Sequence, residues 1–244
     1  MTRTLAEVAA EASTCTKCKL AAGRTQVVFG NGDPHADLMF IGEGPGLNED
    51  RQGEPFVGAA GQLLNRMLGE IGLEREDVYV GNIVKCRPPG NRDPEPDEIE
   101  ACTPWLIEQV SLIQPRVIVT LGNFATKFVL NTTTGITRMR GRVHDWHGRT
   151  VIPTFHPAAI LHGGGERSPQ FAAIKEDFGL IRRTLDEAAA PIPPAPDPAR
   201  PAAPEGTAAP RPESPAGYAP GEIPRVVPGV SDAPGHDDDQ MELF

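Results

Sequence analysis

The chain has 244 residues, a length that fits one ordinary domain with an extension or two small domains. It carries 39% hydrophobic residues and no run near the roughly 18 apolar residues of a membrane span, so an integral helical membrane protein is excluded. The net charge of −10 argues against a broadly basic nucleic-acid binder, but −6 of it sits in residues 191–244, and the rest of the chain is near balance, with 20 Lys and Arg against 24 Asp and Glu.

Residues 4–13 have helix-forming composition, and the pair Cys15 and Cys18 follows. Residues 37–42 (DLMFIG) read as a strand running into the glycine-rich Gly42-Glu43-Gly44-Pro45-Gly46. Residues 61–71 put Leu63, Leu64, Met67, Leu68 and Ile71 on one helical face. Residues 77–84 give a second strand, and a helix starting near Asp97 carries Ile99, Cys102, Leu106 and Val110. The run at 116–121 (RVIVTL) has the continuous apolar character of a strand buried on both faces. A helix is predicted at 123–130, a fourth strand at 151–155 ending at His156, and a closing helix at 171–185. Alternating strands and helices indicate an α/β fold with a mainly parallel sheet, whose ligands bind at the carboxyl ends of strands. Gly42, Glu43, Asn82 and His156 are predicted to stand at those ends and to line one cleft.

Residues 191–244 hold 14 of the 26 prolines, with Ala, Gly and acid filling most of the remainder. Such a segment cannot bury enough apolar surface to offset the entropy of ordering. Residues 1–190 are therefore expected to fold, 191–239 to form a disordered linker, and 240–244 to act as a separate motif. No signal-peptide pattern opens the chain, so a cytoplasmic location is expected. In that reducing compartment the four cysteines are not expected to pair as disulfides. Cys15-x2-Cys18, then Cys86-x15-Cys102, fits four thiolates around Zn²⁺ or an iron–sulfur cluster, and spacing alone leaves both open.

These residues together resemble a known family. The segment from Gly42 to Asp50 resembles the first motif of the family 4 uracil-DNA glycosylases. Gly53-Glu54-Pro55-Phe56-Val57-Gly58 with Gly61-Gln62-Leu63-Leu64 resembles their next block. Asn82-Ile83-Val84-Lys85-Cys86-Arg87-Pro88-Pro89 resembles the third, and His156-Pro157-Ala158 their second signature motif. Cys15, Cys18, Cys86 and Cys102 match the family's [4Fe–4S] ligands in order and spacing. The resemblance spans about residues 15–185. It implies a three-layer sandwich around a four-stranded parallel sheet, and an enzyme of base excision repair. Such an enzyme flips uracil from DNA and hydrolyses its N-glycosidic bond, leaving an abasic site. The resemblance, not the spacing, favours iron–sulfur over zinc.

It also assigns roles. Phe56, which from composition reads as a core residue, is implied to stack on uracil. Asn82 offers a donor and an acceptor, matching uracil O4 and N3–H and opposing the cytosine amine. His156 is expected to donate to uracil O2 as charge develops there. Gly42, Gly44 and Gly46 let backbone approach the base closely. Glu43 and Glu49 are the candidate carboxylates, with Glu49 expected to help hold water and Glu43 to hold the loop. The commonest uracil glycosylases place a water-activating Asp where Gly44 stands here. Lys85, Arg87, Arg92, Arg138, Arg140 and Arg142 are the candidate phosphate contacts, and Leu161 is the apolar candidate to fill the gap left by the base.

Two alternatives remain at this point. Covalent uracil-trapping relatives carry a basic loop with an extra His after the third cysteine; residues 90–96 have none, so turnover is expected. The other is a catalytically silent DNA-binding or electron-transfer protein, against which the set of Phe56, Asn82 and His156 argues. The terminal Gln240-Met241-Glu242-Leu243-Phe244 resembles the bacterial sliding-clamp-binding motif, with Leu243 and Phe244 filling an apolar pocket and Gln240 bonding at its rim. The expected form is a nucleoid-associated monomer.

Overall fold

The computed structural model describes residues 3–189. The linker expected at 191–239 and the motif of Gln240, Met241, Leu243 and Phe244 lie outside the described residues. The chain begins with α1 (Leu5–Ser13), β1 (Asn31–Gly32), β2 (Leu38–Gly42), α2 (Leu47–Gln52), α3 (Ala59–Glu70) and β3 (Tyr79–Asn82). It continues through α4 (Pro96–Ile113), β4 (Val117–Leu121), α5 (Gly122–Val129), α6 (Ile136–Met139), β5 (His144–Trp146) and β6 (Arg149–Thr154). α7 (Pro157–His162) and α8 (Pro169–Ala189) close the fold.

Side chains on a strand alternate between faces, and this alternation builds the layers. Met39 and Ile41 of β2, with Tyr79, Ile118 and Val151, pack against α1, α4 and α5. Leu38 and Phe40, with Val80, Val117, Val119 and Ile152, pack against α3, α7 and α8. Phe40 and Phe178 stack with ring centroids 5.9 Å apart, pinning α8 to the sheet. Each fully buried side chain of this size contributes about 1.5–3 kcal/mol, so the sheet is held from both faces. The three-layer α/β sandwich expected from the sequence is the observed architecture.

The sheet has six strands in the order β1-β3-β2-β4-β6-β5, not four. The inner four pair in parallel, and β1 and β5 add antiparallel edges. Both edges are too short for apolar periodicity to show. β5 joins β6 through His147 and Gly148, both at positive φ (51° and 77°), the backbone of a tight hairpin turn. Glycine at the second turn position was the available signal for it.

The order also sets the site. β3 lies on one side of β2 and β4 on the other, so the connections diverge at the carboxyl end of β2. A crevice opens at such a switch point. Among the described residues no helix is long and apolar enough to cross a membrane.

Candidate active site

Parallel pairing sets Gly42 level with Asn82 at the ends of β2 and β3. Pairing continues one step further, with Ile83 N–H donating to Gly42 O (3.0 Å) and Val84 N–H to Glu43 O (3.1 Å). Beyond β4, His156 stands at the N-cap of α7. A Cβ at Gly122 would come 2.9 Å from His156 Cβ, so glycine after β4 leaves room for the histidine. A Cβ at Gly42 would overlap Asn82 Oδ1 and stand 3.0 Å from Phe56 Cζ, so bare backbone here lets the two side chains meet.

Phe56 is 8% exposed and has φ of 57°, a conformation rare for a bulky residue. Its neighbours hold it there. Glu49 Oε1 accepts from Val57 N–H (3.1 Å) and Gly58 N–H (2.9 Å), and Arg75 Nη2 donates to Pro55 O (3.2 Å). The Phe56 ring lies 5.6 Å from the His156 ring at 28°, close to parallel.

Asn82 is 1% exposed, and among the described residues its Oδ1 has no partner. Leaving a buried acceptor unpaired costs about 1–3 kcal/mol, a cost that a donor on a bound ligand would remove. His156 Nδ1 accepts from Ala158 N–H (3.1 Å), so the ring proton sits on Nε2, which is free to donate. Burial pushes the imidazole down to about 4, so it is neutral at pH 7. Glu43 goes the other way: burial first, then the neighbouring Asp93 carboxylate, push it up to about 7. Gly44, Gly46, Glu49 and Arg92 complete the cleft, which measures about 420 Å3.

The two candidate carboxylates are placed differently. Glu49 is bonded to the loop that carries Phe56, whereas Glu43 lines the cleft against Asp93. Glu49 also remains at the cleft wall.

A separate cavity gathers Cys15, Cys18, Cys86 and Cys102 with Lys17, Arg24 and Trp105. N–H donors already face two of the sulfurs: Lys85 N–H reaches Cys102 Sγ (3.2 Å) and Arg24 Nη1 reaches Cys86 Sγ (3.4 Å). Burial pushes the Cys102 thiol up to about 11, so it ionises only beside a compensating cation. Among the described residues no three metal-ligating side chains converge on a single-ion site.

Two of the basic residues are engaged inside the fold. Lys85 is 1% exposed, with Nζ donating to Asn82 O (2.7 Å) and Gln109 Oε1 (2.5 Å). Arg140 is turned inward, Nε to Asp177 Oδ2 (2.9 Å) and Nη2 to Asp177 Oδ1 (2.7 Å), where the same carboxylate accepts from Thr154 Oγ1 (2.6 Å) at the end of β6. Arg138 and Arg142 are exposed. Arg87 donates to Asn91 Oδ1 (2.7 Å), and Arg92 is paired with buried Glu98 while still lining the cleft. Leu161 is 38% exposed on α7.

A sequence profile of the Uracil DNA glycosylase superfamily matches residues 29–179. Over 187 residues the chain is 48% identical to a type-4 uracil-DNA glycosylase of Sulfurisphaera tokodaii, covering 73% of this chain and 83% of that protein. The chain belongs to the type-4 uracil-DNA glycosylases. A type-4 uracil-DNA glycosylase of Thermotoga maritima is 50% identical over 149 residues, 60% of this chain and 78% of that one. Another, from Archaeoglobus fulgidus, is 48% identical over 166 residues, 65% of this chain and 83% of that one. As a uracil-DNA glycosylase the chain is a DNA-repair enzyme acting on uracil-containing DNA.

Sequence reasoning missed Asp93, Arg24 and Trp105. Asp93 lies in a segment scanned for positive charge, and its partner Glu43 is 50 residues away in sequence. Nothing in the sequence ties Arg24 or Trp105 to the cysteines.

Proposed function

We propose that this uracil-DNA glycosylase stacks the flipped base on Phe56, sets its O2 edge toward His156 and reads it with Asn82. The single observation that carries this reading is the buried, unpartnered Oδ1 of Asn82, beside an aromatic ring and an imidazole donor. Uracil supplies the missing donor at N3–H, and the amide NH2 of Asn82 faces O4; cytosine presents an acceptor and an amine in those places, so both contacts fail. When the bond from C1′ to N1 breaks, its electron pair stays with uracil and spreads to O2. There the His156 Nε2–H donates, most strongly in the transition state. The neutral imidazole keeps its proton, so uracil leaves as a stabilised anion. Ionised Glu43 faces the cationic sugar, orients the water whose oxygen bonds to C1′ and takes the proton that water loses, while the released uracil anion is protonated by solvent; Glu49 fixes the Phe56 loop. Arg87, Arg92, Arg138 and Arg142 contact phosphates, and exposed Leu161 fills the space the base vacates.

Cys15, Cys18, Cys86 and Cys102 hold a [4Fe–4S] cluster. The residues fit: four sulfurs around one cavity, with backbone and guanidinium donors facing them. When bound, the cluster supplies a cross-link between the N-terminal segment, the end of β3 and α4. The protein works as a monomer, with Gln240, Met241, Leu243 and Phe244 docking on a sliding clamp. Deleting 240–244 is expected to abolish clamp pull-down and to leave excision from free oligonucleotides unchanged; unchanged pull-down removes the clamp from the account.

The deciding experiment is single-turnover release of free uracil from a single-stranded oligonucleotide. Asn82→Ala is expected to slow it at least tenfold with the fold intact by circular dichroism. Wild-type rates in Asn82→Ala would reject the base-reading role. A stable adduct on denaturing gels would replace turnover by trapping.

A further inference from the structure

The donors around the cysteine cavity are not all accounted for. Trp105, on the face of α4 that also carries Cys102, is buried and lines that cavity. Among the described residues its indole Nε1–H has no acceptor. Indole is a donor only, and when buried it ordinarily finds a partner. The other buried donors nearby are satisfied: Lys85 N–H by Cys102 Sγ, Lys85 Nζ by Asn82 O, and Arg24 by Cys15 O (2.6 Å). The ammonium of Lys17 stands 4.4 Å over the Trp105 ring and helps fix the indole against the cavity wall. An electron-rich acceptor held by the thiols lining the same space would satisfy this orphaned donor.

We infer that the Trp105 indole N–H donates a hydrogen bond to a sulfur of the group held by Cys15, Cys18, Cys86 and Cys102. This rests on the cluster reading above and adds a residue to it that is not a ligand. A donor to sulfur withdraws electron density from the iron–sulfur bonds and shields the group from solvent. Trp105 is thus a cofactor-contacting residue placed by α4, with no part in reading the base.

Iron and acid-labile sulfide are counted in wild-type and Trp105→Phe protein, and the Fe–S stretching bands are recorded by resonance Raman spectroscopy in H2O and D2O. The expected result is equal iron and sulfide in the two proteins, displaced bands in Trp105→Phe, and a smaller deuterium shift in the variant. Full loading with superimposable bands overturns the hydrogen bond but leaves the cluster standing. Wild-type protein without iron and sulfide overturns both. A second measurement leaves Trp105 unmutated, in case Trp105→Phe fails to fold. With Trp146→Phe removing the other indole, the remaining indole N–H proton is expected at a hyperfine-shifted, temperature-dependent position. An ordinary diamagnetic indole position overturns the inference.

Discussion

Glu43 and Asp93 are neighbours in the lining of the cleft, and their proximity has a consequence in pH. Burial is the larger cause and the Asp93 carboxylate the second of the rise to about 7. The raised value means that Glu43 is protonated below pH 7 and ionised above it. With the ionised form supporting the cationic sugar, excision by wild-type protein is expected to rise with pH through about 7. Asp93→Asn is expected to move that inflection lower, though not to the ordinary carboxylate range, because burial remains; Glu43→Gln removes it. A wild-type profile flat from pH 6 to 8 would take Glu43 out of the mechanism. Lys85 gives the second test at this scale. The sequence marks it as a surface cation because lysine is almost never fully buried, and only the fold brings Gln109 of α4 and the Asn82 carbonyl to its ammonium. Lys85→Met is expected to leave the salt dependence of DNA binding unchanged and to lower stability by about 1–3 kcal/mol through two unpaired acceptors. A shallower salt slope in Lys85→Met would return Lys85 to the DNA surface.

At the scale of elements, the site depends on how α3 packs against the loop before it. Gly61 lies in the first turn of α3, and a Cβ there would overlap the Phe56 carbonyl. Gly61→Ala is therefore expected to push α3 and the loop apart, at about 1–3 kcal/mol, and to weaken uracil capture more than tenfold. Gly69, near the end of the same helix, has open space around it. There alanine is expected to gain up to about 1 kcal/mol of helix propensity with unchanged excision. Chemical denaturation and single-turnover kinetics on both variants separate the two effects, and equal behaviour of the pair would refute the packing argument. What was legible in the sequence follows the same division. β2, β4, α3 and α4 bury continuous or periodic apolar residues, and their pattern shows in the chain. β1 is a two-residue edge with no side-chain pattern to read. The pairing of Gly42 with Asn82 was foreseeable from strand ends, but the positive φ of Phe56 and its Glu49 support depend on a loop whose shape no periodicity encodes.

Across the whole molecule, the cysteine cavity and the uracil cleft are joined by the segment that leaves Cys18. Arg24 bonds back to Cys15 O and Cys86 Sγ. Its neighbour Thr25 donates its N–H to the buried Asp50 carboxylate (2.9 Å), and Gln26 Nε2 donates to Arg51 O (2.6 Å). Asp50 and Arg51 belong to α2, and Glu49 of the same helix holds the backbone after Phe56. One continuous set of bonds thus runs from the cysteines to the aromatic wall of the cleft. The four sulfurs come from three separate stretches of chain, so on the cluster proposal losing that cluster frees the N-terminal end of this connection while the sheet keeps its own core. Cys15→Ala/Cys18→Ala protein is expected to lose protection from hydrogen exchange in residues 14–29 and, next, in 47–58, with β2, β4 and β6 still protected. Excision is expected to fall more than tenfold, through weaker uracil capture rather than through loss of His156. If residues 47–58 keep wild-type protection in that protein while excision falls, the connection through α2 is not what links the two sites.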